Sequence, residues 1–377
     1  MSRVFDFAVI GAGMAGASLA AELAREGTVL LVEREDAPGR HTTGRSAALY
    51  SPSYGNAAIR ALTLASRPFF DVPPDGFAQY PLLSLRGCLH IARPDQMGAL
   101  AATIREAKAS GVAIAAISPD RAWTLCPMLR PDYVAGAALE PDAADIDVAA
   151  LHDGYLRSAK AHGGVLHLNA EVIALEQGGG FWSLRFADGS RAIAAVVVNA
   201  AGAWADVVAT RAGVEGIGLR PLRRTVIILD PPPGLEIAAM PFVLDADEAF
   251  YFKPESGRLL ASPADETPSE PCDAMPEEMD IAICVDRIQQ AADIEVRRVR
   301  RSWAGLRSFV ADRTPVIGFD PAAPGFFWFA GQGGYGIQTA PAAAKLGAAL
   351  AAGKPVPREL TACGVSAAPF AAERLRP

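Results

Sequence analysis

Residues 5–33 read FDFAVIGAGMAGASLAAELAREGTVLLVE, and this stretch decides the fold. Residues 5–10 are a short apolar run with the composition of a buried strand. Gly11-Ala12-Gly13-Met14-Ala15-Gly16 follows, with the spacing G-x-G-x-x-G. Residues 15–25 are dense in Ala and Leu, strong helix formers, and Glu26-Gly27 ends that helix. Residues 28–32 are a second apolar run, closed by Glu33. Each position has a task. Gly11 permits the tight turn, Gly13 lets a pyrophosphate approach the backbone, and Gly16 lets the helix pack close to the strand. The helix then offers free N–H groups and its positive end to phosphates. Glu33 stands 22 residues past Gly11, close to the expected spacing for an acid that accepts from ribose hydroxyls. Its charge repels a 2′-phosphate, so NAD or FAD fits better than NADP. Arg34, beside it, is counted with the cofactor-binding residues.

Composition bounds the rest. The chain has 377 residues, more than one hydrophobic core usually supports, so two domains are expected. A net charge of −7 argues against nucleic acid and anionic membrane surfaces as partners. The five cysteines are odd in number and show no C-x-x-C spacing. They point to a reducing, cytoplasmic compartment and to no metal site. No signal peptide and no apolar run of membrane-spanning length is read.

Further along, residues 40–48 (RHTTGRSAA) are small and hydroxyl-rich. They follow the second strand directly, which gives Thr43, Gly44, Arg45, Ser46 and Ala47 a place beside a dinucleotide. Helices are expected at 57–70, 96–110, 119–129, 147–162 and 280–294. Strands are expected at 82–92, 133–139, 165–168, 170–176, 181–186, 191–194, 226–229, 242–244, 250–253 and 259–262. Residues 141–145 read as a loop, and 195–199 as a buried strand. That strand ends in Ala200-Ala201-Gly202-Ala203-Trp204, small enough for backbone to approach a ligand. The last block is strand, turn and helix again. The aromatic run 325–330 meets Gly331-Gln332-Gly333-Gly334-Tyr335-Gly336-Ile337-Gln338, which opens a small-residue helix over 339–351. A helix N-terminus aimed at a flavin would stabilise negative charge on the reduced ring.

With these blocks in place, the chain resembles the flavin-dependent D-amino acid oxidase family, and within it most the D-arginine dehydrogenase group. The likeness rests on GRSAA (44–48), SYG (53–55), VNAAGAW (198–204), WAGLRSFVAD (303–312) and GQGGYGIQT (331–339). The resemblance implies an α/β fold, α+β overall. A Rossmann-like FAD-binding domain is expected from 1–82, 142–213 and 299–377. A substrate domain on a mixed, largely antiparallel sheet is expected from 83–141 and 214–298. The family likeness assigns Gly11, Gly13, Gly16 and Glu33 to the ADP half of a non-covalent FAD, and Val172 to the adenine. It places Arg45, Ser46 and Ala47 along the pyrophosphate, and Gly334, Gly336, Ile337 and Gln338 at the flavin.

An amino acid substrate must be held by its carboxylate, which a guanidinium fork does bidentately. The resemblance selects Arg223 and Arg307 for this task. Tyr54 and Tyr251 add phenolic hydrogen bonds, and the Gly334 carbonyl orients the amine. Two positions depart from the D-arginine dehydrogenase pattern: Cys88 stands where that group has an acid, and Leu49 where it has a histidine. Both make the pocket less polar, so neutral or apolar D-amino acids are the expected substrates. The implied reaction is hydride transfer from Cα to flavin N5, giving a 2-oxo acid and ammonia, with oxygen or a quinone as electron acceptor. The alternatives are a secondary amine such as sarcosine or proline, a 2-hydroxy acid, or a non-catalytic FAD-carrying subunit. A nicotinamide dehydrogenase is disfavoured by the GQGGYG block.

Overall fold

The computed structural model describes residues 4–376. The opening stretch forms the strand Val4–Ile10, the helix Met14–Leu23 and the strand Val29–Val32. The turn between the first two elements needs its glycines. Gly11 has φ +102°, a left-handed value, and a Cβ there would lie 2.5 Å from the Ala200 carbonyl oxygen. A Cβ on Gly16 would lie 1.8 Å from the Gly11 oxygen, so the helix reaches the strand only because that atom is missing.

Val4–Ile10 sits centrally in an eight-stranded sheet. It pairs in parallel with Val29–Val32 on one side and Arg191–Asn199 on the other. Phe326–Ala330 continues the parallel array beside Arg191–Asn199, and Val165–His167 continues it beside Val29–Val32. Side chains of this sheet and of the helices Met14–Leu23, Val148–Ala161 and Ala340–Ala351 share one apolar core, with Leu19, Leu151, Tyr155, Phe327, Phe329 and Leu346 in it. Asp147 starts the second of those helices by accepting from the Ala150 N–H at 2.8 Å. Residues 191–194 and 195–199, read separately from the sequence, are one continuous strand.

A nine-stranded sheet forms the second layer, mixed but mostly antiparallel. Its middle runs Arg220–Leu229, Arg258–Ser262, Tyr251–Glu255, Phe242–Asp245, Cys88–Ala92 and Gly136–Glu140. One face packs on a core that includes Cys284, Ile288 and Ala291 of the helix Glu278–Ala291. Three details differ from the expected elements. Residues 82–92 split into Leu83–Leu85 and Cys88–Ala92, because Arg86-Gly87 turns between them with Gly87 at φ +75°. Residues 144 and 145, expected in a loop, belong to the strand Ala144–Ile146 of a small three-stranded sheet with Leu49–Tyr50 and Leu83–Leu85. The strand Arg301–Phe309, expected with the cofactor domain, pairs along its length with Arg220–Leu229 in the nine-stranded sheet. Among the described residues no helix is long and apolar enough to cross a membrane.

Candidate active site

A cavity of about 1020 Å³ is lined by residues of both large sheets. One part is the strand–turn–helix unit. Gly11, Gly13, Met14 and Ala15 line it, as do Glu33, Arg34, Val172, Ala200, Gly202 and Trp204. Glu33 is buried, and its carboxylate accepts from the Ala12 N–H at 2.9 Å and the Glu35 N–H at 3.1 Å. The Thr43 hydroxyl accepts from the Met14 N–H at 2.9 Å, tying the 40–48 segment to the helix start. The Arg34 guanidinium lies 5.0 Å from the Trp204 ring, a cation–π distance. Arg45 lines the cavity, but its guanidinium is committed to the Ala274 and Ala304 carbonyls at 2.9 and 3.0 Å and to Asp273.

The other part gathers Tyr54, Tyr251, Arg307 and the turn Gly333-Gly334-Tyr335-Gly336-Ile337-Gln338. Arg307 is buried and donates to the Tyr54 hydroxyl at 2.6 Å and to Glu266 at 3.2 Å. A Cβ on Gly334 would fall 2.0 Å from Arg307 Nη2, so the guanidinium lies directly against the turn backbone. Burial pushes the Tyr54 phenol up to about 12, against the pull of Arg307, so it stays a neutral hydroxyl at ordinary pH. Gln338, also buried, accepts from the Ser51 N–H at 3.1 Å and donates to the Thr63 hydroxyl at 2.9 Å.

Four of the residues chosen from the sequence are not in the cavity wall: Ala12, Gly16, Gly44 and Arg223. The first two lie beneath it. Ala12 gives its N–H to Glu33 and its carbonyl to His152, at 2.9 Å each. Gly44 donates its N–H to the Gly39 carbonyl at 2.9 Å. Arg223 is a correction. It faces the other side of its strand and pairs with Glu277 and with Asp280, the latter at 2.9 Å. Strand side chains alternate, so its neighbour Arg224 is the one turned to the cavity. Arg224 sits opposite Gly305 in the register, two residues from the Leu222–Arg307 pair on the same face. Its Nε donates to the Asp265 carbonyl at 2.8 Å.

Glu266 was not read from the sequence. It lies between three guanidiniums, at 2.7 Å from Arg313, 3.2 Å from Arg307 and 3.4 Å from Arg224. Burial pushes its carboxyl up, but the three arginines outweigh that and hold it below the usual range. A polar loop gave no periodic signal by which to find it. The wall around Cys88 is also more polar than expected. Leu49, Phe242 and Tyr251 do form an apolar cluster with Cys88, but buried His90 and Glu140 stand beside its sulfur.

A family model described as FAD dependent oxidoreductase (DAO) matches residues 6–350. The chain belongs to this family. Glycine oxidase of Geobacillus kaustophilus (strain HTA426) is 23% identical over 354 residues, which cover 90% of this chain and 91% of that protein. The crystal structure of glycine oxidase from Geobacillus kaustophilus matches with a TM-score of 0.83 at 22% identity, over 98% of both chains. L-alpha-glycerophosphate oxidase from Mycoplasma pneumoniae, with FAD bound, matches at 0.82 and 17% identity over 92% of this chain and 94% of that one. FAD-dependent oxidoreductase domain-containing protein 1 of Bos taurus is 30% identical over 166 residues, 39% of this chain. The match spans only 34% of that relative's own length. At these identities the structural likeness is one of fold. As a member of this family of FAD-dependent oxidoreductases, the chain has FAD as its cofactor. The cavity fits the group: it is long enough to reach from the Gly13 turn to the Gly334 turn, and a Cβ on Gly13 would already crowd the Thr43 hydroxyl at 3.2 Å.

Proposed function

We propose that this chain oxidises a small D-amino acid with a neutral side chain, using non-covalent FAD in a reducing, cytoplasmic setting. The observation that carries the reading is the meeting of Arg307, Arg224, Tyr54 and Tyr251 on the wall of the cavity that also contains both glycine turns. The ADP half of FAD would lie along Gly11, Gly13, Glu33, Thr43 and Val172, and the flavin at Gly334, Gly336, Ile337 and Gln338. When bound, FAD supplies the redox chemistry, accepting hydride from the substrate carbon that bears the amine.

The protein's part is orientation and charge. Arg307 and Arg224 present planar forks to the carboxylate. Glu266 holds both forks in place. Tyr54, kept neutral by burial, donates a hydrogen bond to the same carboxylate. The Gly334 carbonyl accepts from the amine and so turns the Cα–H away from the arginines. The imino acid product leaves and hydrolyses in water to a 2-oxo acid and ammonia. The D configuration rests on the GRSAA, WAGLRSFVAD and GQGGYGIQT motifs and the likeness they carry, and the neutral side chain on the one apolar cluster that Leu49, Phe242 and Tyr251 form with Cys88.

A secondary amine is the second reading. It is favoured by the likeness to human mitochondrial sarcosine dehydrogenase, 26% identical over 241 residues, which are 58% of this chain and 25% of that protein. The test is an anaerobic visible titration of the purified holoenzyme with D-amino acids, L-amino acids and sarcosine. Bleaching of the flavin band by neutral D-amino acids supports the first reading. Bleaching by sarcosine alone replaces it with the second, and a flavin reduced by none of them removes both.

A further inference from the structure

Cys88 and His90 on the cavity wall, with Glu140 buried behind them, form a second constellation, and the proposed reaction uses none of its chemistry. Cys88 and His90 alternate on the strand Cys88–Ala92 and both line the cavity. Glu140 lies directly across from Cys88 in the register of the neighbouring strand Gly136–Glu140. All three are buried, and their sulfur, ring nitrogen and carboxylate oxygen lie within 4.8 Å of one another. Two features go beyond proximity. His90 is only 4% exposed, and its Nε2 has no hydrogen-bond partner; the nearest Glu140 oxygen is 3.6 Å away, too far for one. A buried polar atom of this kind is costly unless something binds it. Glu140, in contrast, is already oriented. It accepts from the Ser51 hydroxyl at 2.9 Å, the Ser53 N–H at 2.9 Å and the Ser53 hydroxyl at 2.8 Å. Both hydroxyls take Oε2 and the N–H takes Oε1, so of a carboxylate's roughly four lone-pair sites the open one is on Oε1, while the serines fix its direction, as outer partners of metal ligands do.

We infer that Cys88, His90 and Glu140 form a binding site for a zinc ion. Thiolate, imidazole and carboxylate are zinc's usual donors, and three protein ligands leave a fourth tetrahedral position for water or a substrate group. Cys88 gives up its thiol proton to solvent as the sulfur–zinc bond forms, and His90 binds through a ring nitrogen in its neutral form. The site itself does not depend on the proposed substrate.

The test measures metal on the FAD-loaded protein by equilibrium dialysis against zinc chloride. The expected result is one zinc per chain. It is retained when the two exposed cysteines are replaced together (Cys272→Ser with Cys363→Ser) and weakened more than about 100-fold in Cys88→Ser, beyond what loss of an outer partner costs. Cobalt(II) provides a readout on the unmutated chain: a tetrahedral thiolate complex absorbs to the red of the flavin band. No bound zinc, equal binding in Cys88→Ser, or a cobalt spectrum without that absorption overturns the site. If the substrate reading also holds, zinc inhibits turnover. If zinc binds and no amine reduces the flavin, the site stands and the substrate reading falls.

Discussion

Arg223 and Arg224 are adjacent in the chain and do opposite things. Arg223 holds Glu277 and Asp280 on the outer side of its strand, whereas Arg224 looks into the cavity. Replacing each with alanine therefore separates stability from binding. Arg224→Ala removes one charged hydrogen-bonding partner of a substrate carboxylate, so KM rises roughly 10- to 100-fold, the equivalent of about 1.5–3 kcal/mol. Its Tm changes little, because its own contacts are one backbone carbonyl and a shared carboxylate. Arg223→Ala leaves Asp280, with a side chain 12% exposed, without its cation, and costs about 1–3 kcal/mol of stability while KM stays near wild type. Equal KM values in the two variants would remove Arg224 from the site. The sequence LRPLRR shows that arginines enter a strand there, but not which of two neighbours points inward. A one-residue shift in strand phase exchanges the faces, and only the pairing with Arg301–Phe309 fixes that phase. Arg307 was legible because it lies in a longer motif, and Glu266 was not, because its task is set by three arginines far from it in sequence.

At the scale of elements, the two strand–turn–helix units were readable because their glycines answer to backbone geometry that no other residue meets. Short elements were not. The strand Ala144–Ile146 has three residues, and its pairing comes entirely from distant partners at 49–50 and 83–85. The glycine turns also fail differently when filled. In Gly16→Ala the new methyl meets a backbone oxygen at 1.8 Å, which cannot yield without moving the helix Met14–Leu23 off its strand. In Gly334→Ala it meets the end of a side chain, the Arg307 guanidinium, which can swing. Gly16→Ala is thus expected to purify with little flavin and a lowered Tm. Gly334→Ala keeps its flavin and Tm but loses substrate affinity as Arg307 is displaced. Absorbance at the flavin band, thermal melting and KM together decide; normal flavin content in Gly16→Ala would contradict the packing argument.

At the scale of the whole molecule, the cavity draws its walls from chain segments between residues 10 and 338, so the fold is closed by contacts between sequence-distant parts. The chain's far end is fixed the same way. Arg376 reaches the buried Asp320 at 2.6 Å and the carbonyls of Gly216 and Glu215 at 3.0 and 2.9 Å. Asp320 also accepts from the Trp328 indole at 3.0 Å and the Ala322 N–H at 2.9 Å. Burial pushes this carboxyl up, but those donors and the Arg376 charge outweigh it and hold it below its ordinary 3.8. A depressed carboxyl contributes stability that is complete above the unfolded value and is lost as pH falls through the folded one. Asp320→Asn, which keeps the shape and removes the charge, should therefore cost about 1–3 kcal/mol at neutral pH. The gap to wild type should be flat down to about pH 5 and close as the pH drops below 3.8, where the unfolded carboxyl is neutralised, and on through the lower folded value, where the native one is. Denaturant melts of both proteins across that range measure it. A difference that instead widens in acid would mean that Asp320 is held by its shape and neutral hydrogen bonds rather than by the charge it shares with the chain end.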